Sequence, residues 1–363
     1  MTRKLATIQK IANLEAIPNA DAIEVAQILG WKCVVKKDEY KVGDLVVYFE
    51  VDSFIPVKPE LEFLRKGCYK KLPDGTEGFR IRTIRLRGQI SQGLVMPLSL
   101  LGKLQVEEGT EVAEYLKVIK YEPPIPACIA GEVKGYFPAF MPKTDETRVQ
   151  LLQNVISRYV GTKCYVTEKI DGASATYYLK DGEFGVCSRN LDLKETSDNA
   201  FWQFAREANI EEKLRRLSDL SEREYSMNHQ LKNVAIQGEL FGNGIQGNPL
   251  KQNTRKVMFF QVFDIDKYCY LDFGNFVHAM GLLGLESVPI LDTNFSLVDN
   301  IDELVKLSVA KSKINPKLWR EGIVIRPLKE TLDMGMGVGI GIGGSGRLSF
   351  KVVNPEYLLV NDA

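Results

Sequence analysis

Short runs of alternating apolar and polar residues, separated by turn residues, fill the first hundred positions of the chain. Examples are residues 31–35, 45–51 and 79–87. Successive side chains of a strand point to opposite faces of a sheet, so this period of two predicts strands with one buried face. Gly, Asp and Pro residues at 41–44 and 73–75 suit tight turns between the runs. Such short strands are typical of a small antiparallel barrel, and an OB-type barrel matches their lengths.

Strands and helices alternate in the second half of the chain, beyond residue 161. An amphipathic pattern predicts a helix over Asp198–Leu217, and a further helix is predicted to begin at Thr144 or Asp145, whose side chains can cap its first amides. We therefore expect an α+β chain. Runs rich in β-branched and aromatic residues predict its strands, at 164–169, 173–179, 233–240, 257–265 and 322–326.

A loosened hydrophobic pattern with prolines at 123, 124 and 126 separates the two halves. We predict an OB-type nucleic-acid-binding domain over residues 1–105, a linker over 106–143 and a second domain over 144–363. The glycine-dense segment 334–346 lacks the Gly-Lys-Ser/Thr sequence of a phosphate-binding loop, so it is interpreted as a flexible connection.

Charge, histidine and cysteine content exclude several classes of protein. The 47 acidic and 47 basic residues give no net charge, so a nucleic acid would have to be bound by local basic patches. Two histidines exclude multi-histidine zinc sites. Six cysteines without a Cys-x-x-Cys pair favour a reduced, cytoplasmic chain. No stretch approaches the roughly 18 apolar residues of a spanning helix, so neither membrane insertion nor secretion is expected.

The segment Glu168-Lys-Ile-Asp-Gly172 ends one predicted strand and turns into the next. A protonated lysine is a poor nucleophile, but nearby cations and a metal ion in an enclosed site lower its pKa and expose the nitrogen lone pair. Lys169 could then attack the α-phosphate of a nucleotide. Lys-x-Asp-Gly alone is also a common turn sequence, so other segments must support this chemistry.

Five more segments follow Lys169 in the order and spacing of a known motif set: 188–190, 237–240, 260–264, 320–324 and 349–353. Together they resemble the covalent nucleotidyltransferases, the superfamily of DNA ligases, RNA ligases and messenger-RNA capping enzymes. The sequence is most similar to ATP-dependent RNA ligases with an N-terminal OB domain, the fifth RNA-ligase family. This resemblance covers nearly the whole chain.

Several further features favour the RNA-ligase branch. Residues 3–8, 17–25, 86–94 and 140–150 resemble its N-terminal domain and the start of its catalytic domain. Ser174 stands where DNA ligases commonly have arginine. Twelve residues follow Lys351, where DNA ligases and capping enzymes carry another OB domain. The resemblance implies an OB barrel followed by an ATP-grasp-like adenylyltransferase domain of antiparallel sheets with flanking helices.

The resemblance also implies roles in nucleotide binding. Lys169 would hold AMP through a phosphoramide bond, and Glu239 would accept hydrogen bonds from the ribose hydroxyls. Phe263 would present its ring to adenine, and Val324 would close the other side of the base. Two residues that flank the nucleophile are assigned to the same nucleotide site: Glu168 and Ile170.

The remaining site residues are charged. The resemblance implies that Asp171 and Glu321, as hard oxygen donors, hold Mg²⁺ or Mn²⁺ near the α-phosphate. Lys351, Arg189 and Arg148 would place positive charge around the phosphates.

The last motif departs from the superfamily pattern. That pattern usually has two lysines separated by one residue, whereas this chain has Lys351 and then Val353. Arg347 is the candidate for the missing cation. Asn354-Pro-Glu-Tyr357 follows, as in related ligases.

Four arginines of the first domain could bind a phosphate backbone, together with Lys70 and Lys71. OB barrels often bind nucleic acid, and a period of two puts alternate arginines on one strand face. The predicted nucleic-acid-binding residues are Arg80, Arg82, Arg85 and Arg87.

We therefore expect an ATP-dependent RNA ligase that seals 3′-hydroxyl and 5′-phosphate ends through lysyl-AMP and an adenylated end. Its expected partner is RNA or a nicked duplex with RNA on the 3′-hydroxyl side, and it is expected to act as a monomer. The alternatives are a capping guanylyltransferase, a DNA ligase, or a non-catalytic RNA-binding protein whose nucleotidyl site has decayed. Val353 favours the last alternative, whereas intact Lys169, Asp171, Glu239 and Glu321 oppose it.

Overall fold

A computed structural model describes residues 4–72, 74–122, 130–220, 231–333, 336 and 346–361. The chain divides into two compact units. The N-terminal unit comprises residues 2–124 with 358–363, and the C-terminal unit comprises residues 125–357.

The N-terminal unit consists of short antiparallel strands, as the period-two pattern predicts. Its described strands form four small sheets in the orders β1-β5-β11, β10-β9, β12-β6-β8-β7 and β2-β3-β4. Two short helices, α1 (Arg65–Cys68) and α2 (Ala113–Leu116), accompany them. The strands are β1 (Ala6–Lys10), β2 (Asn13–Ala16), β3 (Ile23–Ile28), β4 (Trp31–Lys36), β5 (Leu45–Phe49), β6 (Ser53–Pro56), β7 (Tyr69–Lys71), β8 (Glu77–Arg80), β9 (Thr83–Leu86), β10 (Gln89–Gln92), β11 (Leu94–Pro97) and β12 (Ile119–Lys120).

Strand alternation builds the interior of this unit. Ile8, Phe49 and Phe79 belong to one buried apolar cluster, and Trp31 and Tyr48 belong to a second. Burial of such large side chains contributes roughly 1.5–3 kcal/mol each, which makes the two clusters the main source of stability here.

The C-terminal unit contains two larger sheets. The first has seven strands in the order β13-β18-β17-β16-β19-β20-β21, and the second has five in the order β14-β24-β23-β15-β22. All described pairs between these named strands are antiparallel except β14 with β24. The strands are β13 (Val133–Tyr136), β14 (Thr147–Arg148), β15 (Lys163–Lys169), β16 (Ala173–Lys180), β17 (Glu183–Cys187), β18 (Leu191–Leu193), β19 (Val234–Phe241), β20 (Lys256–Asp264), β21 (Cys269–Tyr270), β22 (Ile290–Ser296), β23 (Gly322–Pro327) and β24 (Phe350–Val353).

Helices cover one face of each of these sheets. Phe201, Leu214 and Phe276 pack with residues of the seven-stranded sheet, and Ile156 and Leu304 pack with residues of the five-stranded sheet. On the opposite faces, residues of both sheets line a shared cleft. These helices are α3 (Gln153–Arg158), α4 (Ala200–Glu207), α5 (Ile210–Asp219), α6 (Phe273–Leu283) and α7 (Ile301–Ser308). The last helix, α8 (Pro355–Asn361), begins in this unit and ends among residues grouped with the N-terminal unit.

Both predicted helices differ from the observed ones. The first begins at Gln153 rather than at Thr144 or Asp145, because the preceding residues form the extended pair β14 and a short 3₁₀ turn. The second is divided into α4 and α5 by Asn209, whose φ of 53° is left-handed. Asn199 caps α4 by accepting hydrogen bonds from two backbone amides.

Residues 106–122 and 130–143 of the predicted linker contain α2, β12 and β13. The domain boundaries stay a prediction. The glycine-dense segment 334–346 lies outside the described residues except for Met336 and Gly346, as do the prolines at 123, 124 and 126.

In the part of the chain that the structure describes, no helix combines the length and apolar character needed to cross a membrane. The five cysteines assigned as free thiols there are Cys33, Cys68, Cys164, Cys187 and Cys269.

Candidate active site

Lys169 ends strand β15 at the cleft between the two sheets of the C-terminal unit. Its Nζ lies 2.7 Å from Oε2 of Glu321, and both side chains are less than a quarter exposed. Strand pairing explains this contact, because Lys169 lies opposite Gly322, the residue after Glu321. A Cβ on Gly322 would come within 2.3 Å of the Val352 carbonyl oxygen. Glycine is therefore required for β24 to lie this close to β23.

The turn after Lys169 depends on a second glycine. A Cβ on Gly172 would lie 2.3 Å from the Leu240 carbonyl oxygen and 3.1 Å from Cγ of Glu239. The Lys-x-Asp-Gly sequence thus allows the turn to approach β19, which carries Glu239. This close approach brings Lys169 and Glu239 into one site.

Three carboxylates control the charge of Lys169. Burial lowers the pKa of this amine, but Glu321, Glu239 and Asp171 together raise the pKa above its ordinary value. Lys169 is therefore protonated at neutral pH in this state. The acids outweigh burial here, so the net shift is opposite in direction to the depression expected for a nucleophilic lysine.

Glu239 lies on β19 opposite Ser174 of β16. Burial, together with Glu321 and Asp171, raises its pKa to about 8, although Lys169 and Arg189 favour the charged form. Because Glu239, Glu321 and Asp171 lie close together, a positive charge that enters the cleft stabilises their ionised forms.

Lys351 and Arg148 supply cations on the other side of Lys169. Lys351 lies on β24 between Arg148 of β14 and Val324 of β23. Burial and the neighbouring charges of Lys169 and Arg148 lower the pKa of Lys351 to about 7. A group of cations that repel one another provides a favourable site for phosphate groups.

Asp171 and Arg189 complete the predicted charged set. Asp171 accepts a hydrogen bond from the hydroxyl of Tyr357. Arg189 is half-exposed and lies 2.7 Å from Asp145.

A pocket of about 450 Å³, including its open mouth, adjoins Lys169. Within the five-stranded sheet, Ile323 and Ile325 face the helices, so alternation turns Val324 and Arg326 into the pocket. Phe260 and Glu239 line it from the seven-stranded sheet. Its full lining is Thr144, Glu146, Thr167, Glu168, Lys169, Ile170, Glu239, Phe260, Val288, Val324 and Arg326.

Glu168 places an acceptor in this pocket. The side chain is 1% exposed, and its Oε2 accepts a 2.7 Å hydrogen bond from the Lys313 amide. Its Oε1 is buried without a hydrogen-bond partner among the described residues. A buried acceptor without a donor is costly, so this atom is available to accept a hydrogen bond from a bound molecule.

Comparison with known proteins identifies the family. An OB-fold domain model matches residues 5–98, and an RNA ligase model matches residues 162–353. A variant of Naegleria gruberi RNA ligase solved with ATP and Mn is 37% identical, with 98% of each chain covered and a TM-score of 0.83. The chain belongs to the RNA ligase family. The predicted family and fold class of this ligase are confirmed.

Two further structures agree with this assignment. Another variant of the Naegleria gruberi enzyme with ATP and Mn has a TM-score of 0.86 and 37% identity, covering 99% of this ligase and 100% of that chain. The same enzyme with PPi has a TM-score of 0.85 and 37% identity, with 98% of each chain covered. No curated protein sequence matches this ligase.

Phe263 lies outside the pocket, contrary to its predicted contact with the base. It is 1% exposed and packs edge-on against Tyr268 and Tyr270, at ring-centroid distances of 5.2 and 5.0 Å. Phe260 occupies the pocket instead. Phe263 pairs with Ala235, whereas Glu239 pairs with Met258, so Phe263 lies farther along β20 from the pocket than Phe260 does.

Arg347 is engaged elsewhere and does not replace the second lysine of the last motif. Its guanidinium pairs with Glu330, donates to Oε1 of Gln261 at 2.5 Å, and lies 4.0 Å from the ring centre of Tyr270. Val353, at the second lysine's position, is 5% exposed.

Sequence reasoning missed the buried cation Arg326. It is 2% exposed, donates to Glu146 at 2.8 Å and to Oγ of Ser349 at 2.9 Å, and lies 5.6 Å from the ring centre of Phe260. The alternation Ile323, Val324, Ile325, Arg326 was the available signal, because it places the arginine on the same face as Val324.

Asp171 and Glu321 fit a metal that completes its coordination with a nucleotide. Across the described ranges, no group of three or more His, Cys, Asp and Glu residues could hold a metal ion by itself. Mg²⁺ is usually bound by one or two carboxylates plus substrate phosphates, which matches a site with acids on one side and phosphate-binding cations on the other.

The four predicted arginines of the N-terminal unit differ in exposure. Arg80 lies 3.3 Å from Asp52 and 4.4 Å from the ring centre of Tyr121, and its side chain is 14% exposed. Arg82 is half-buried in the connection between β8 and β9. Arg85 and Arg87 are exposed, the first on β9 and the second in the turn that follows it.

Proposed function

We propose that this ligase joins the 3′-hydroxyl and 5′-phosphate ends of RNA through AMP bound covalently to Lys169. The observation that carries the proposal is the position of its Nζ, with Glu321 at 2.7 Å and with Lys169 and Arg148 close enough to Lys351 to lower the pKa of Lys351. The related Naegleria gruberi structures with ATP and Mn, with AMP and Mn, and with PPi support ATP as the nucleotide.

Three transfers would follow. Lys169 first loses a proton, for which Oε2 of Glu321 is an acceptor within hydrogen-bond reach; its nitrogen then attacks the α-phosphorus of ATP, and the bond to pyrophosphate breaks. Next, a 5′-phosphate oxygen attacks the same phosphorus, and Lys169 leaves and regains a proton. Finally, the 3′-hydroxyl attacks the 5′-phosphate, and AMP leaves as the new phosphodiester forms.

The phosphates would meet Lys351, Arg148 and Arg189, whose fixed positive charges stabilise the charge that builds up at phosphorus in each step. Asp171 and Glu321 would hold a Mg²⁺ or Mn²⁺ ion. When bound, this ion supplies further positive charge near the α-phosphate. Glu239 would accept hydrogen bonds from the ribose hydroxyls.

Adenine would lie against Phe260, Ile170 and Val324. The buried Oε1 of Glu168 supports adenine over guanine, because the 6-amino group of adenine donates a hydrogen bond whereas guanine presents an acceptor at that position. A carboxylate facing guanine O6 would be repelled.

The N-terminal unit would contact RNA through its exposed cations, Arg85 and Arg87. We propose that the break lies in a duplex with RNA on the 3′-hydroxyl side, as in the resembled family. One chain carries Lys169, Glu239 and Lys351 together, which supports action as a monomer.

Labelling with radioactive nucleotide tests the proposal. The wild-type ligase with Mn²⁺ should gain acid-stable, hydroxylamine-sensitive label from α-³²P-ATP, and Lys169→Ala should gain none. Label from GTP alone, or its absence from the wild type, would contradict the proposal. Nicked duplexes with RNA or DNA on each side of the break then identify the substrate. Sealing of all-DNA nicks alone would indicate a DNA ligase.

A further inference from the structure

The segment that follows the last motif holds the backbone beside Glu321. Asn354 is completely buried, and its amide donates to the Glu321 carbonyl oxygen at 2.8 Å. Its Nδ2 donates to the Arg320 carbonyl oxygen at 3.0 Å, and its Oδ1 accepts from the Glu356 amide at 2.9 Å at the start of α8. Asn354 therefore joins the residue pair before β23 to the beginning of the last helix.

The same helix also holds the second acid. Tyr357 lies one turn into α8, is 4% exposed, and donates its hydroxyl hydrogen to Oδ2 of Asp171. Asp171 lies in the turn between β15 and β16, two residues after Lys169. Four consecutive residues thus contact both the backbone of Glu321 and the carboxylate of Asp171.

We propose that Asn354 and Tyr357 are positioning residues that set the two carboxylates for a divalent cation. This inference rests on the proposed function, in which Asp171 and Glu321 bind the metal. The carboxylate of Glu321 pairs with Lys169 at 2.7 Å, and Asp171 lies within the electrostatic reach of the same amine. The backbone bond from Asn354 fixes the chain position of Glu321, and the hydroxyl of Tyr357 fixes the carboxylate of Asp171. Hydrogen bonds to ligating carboxylates fix their orientation, and loss of such a bond typically weakens metal affinity or activity 10–100-fold.

Tyr357→Phe tests the role of the hydroxyl, because the ring and its packing are retained. We expect the Mn²⁺ concentration for half-maximal self-adenylylation to rise about tenfold. The affinity for Mn²⁺ in the presence of AMP should weaken to a similar degree. It is measured from the decrease in the EPR signal of free Mn²⁺ on binding. The second measurement requires no turnover.

Tyr177→Phe is the matched control, since it removes a buried hydroxyl that donates to the Phe201 carbonyl oxygen within the helix-covered core. Its Mn²⁺ requirement should equal that of the wild type. Equal Mn²⁺ binding by Tyr357→Phe and the wild type would overturn the proposal, as would equal weakening in both variants. Failure of the wild type to form lysyl-AMP would instead refute the proposed function.

A second pair of variants tests Asn354. Asn354→Ala and Asn199→Ala each remove a buried asparagine that accepts hydrogen bonds at the start of a helix. Both should lower Tm, but only Asn354→Ala should also weaken Mn²⁺ binding. If the two variants bind Mn²⁺ equally, Asn354 has no positioning role.

Discussion

Glu168→Gln is expected to weaken the preference of this ligase for ATP over GTP. Gln has the shape of Glu, and its side-chain oxygen can still accept the 2.7 Å hydrogen bond from the Lys313 amide. Its amino group then occupies the position of the unpartnered Oε1. A donor would face the 6-amino group of adenine, while the O6 atom of guanine would gain a partner.

The size of the effect follows from the hydrogen bond that is exchanged. A hydrogen bond to a charged group contributes about 1.5–3 kcal/mol. Because each 1.4 kcal/mol corresponds to a factor of ten, kcat/KM for self-adenylylation with ATP should fall roughly 10–150-fold. The value with GTP should stay constant or rise.

Self-adenylylation and self-guanylylation rates at subsaturating nucleotide measure both quantities in one preparation. Glu132→Gln is the control, because Glu132 is exposed and its contact with Lys194 is a long 3.7 Å ion pair. An unchanged ATP-to-GTP ratio in Glu168→Gln would refute the assignment of Oε1 to the base. A fall in both rates by the same factor would show instead that Glu168 supports the fold of the pocket.

Three more outcomes are expected. Phe260→Leu should raise KM for ATP about tenfold through loss of the aromatic face, whereas Phe263→Leu should mainly lower Tm, as kinetic and melting measurements can separate. The affinity of the free enzyme for pyrophosphate, measured by calorimetry, should fall as pH rises through about 7, because Lys351 is charged only below its pKa. Lys351→Met should abolish this pH dependence. Arg85→Ala with Arg87→Ala should weaken RNA binding and reduce its salt dependence in titrations at several salt concentrations, since each phosphate contact displaces counterions. Unchanged values in any of these assays would contradict the corresponding role.

The resemblance to the motif set predicted a site formed by Lys169, Asp171, Glu239 and Glu321, and in the structure Glu321 contacts Lys169. Glu321 is distant in sequence, yet β15 and β23 pair so that Lys169 lies opposite Gly322. The glycines in these motifs were informative because each permits a close backbone approach that a Cβ would block.

Details that depend on register and tertiary pairing were not predictable in this way. Strand pairing places Phe263 beside Ala235, away from Glu239, so Phe260 rather than Phe263 lines the pocket, and no local sequence pattern shows this pairing. Thr144 has the chemistry of a helix cap, but its hydroxyl pairs with Ser174 at 2.6 Å. The sequence allows Thr144 either to cap a helix or to bond a distant side chain, and the contact with Ser174, thirty positions away, is the one that forms.

The carboxylates around Lys169 also govern its reactivity toward other reagents. An ammonium group lacks the lone pair that acylating and carbamylating reagents require. Glu321, Glu239 and Asp171, which raise the pKa of Lys169, therefore lower the reactivity of this amine toward such reagents.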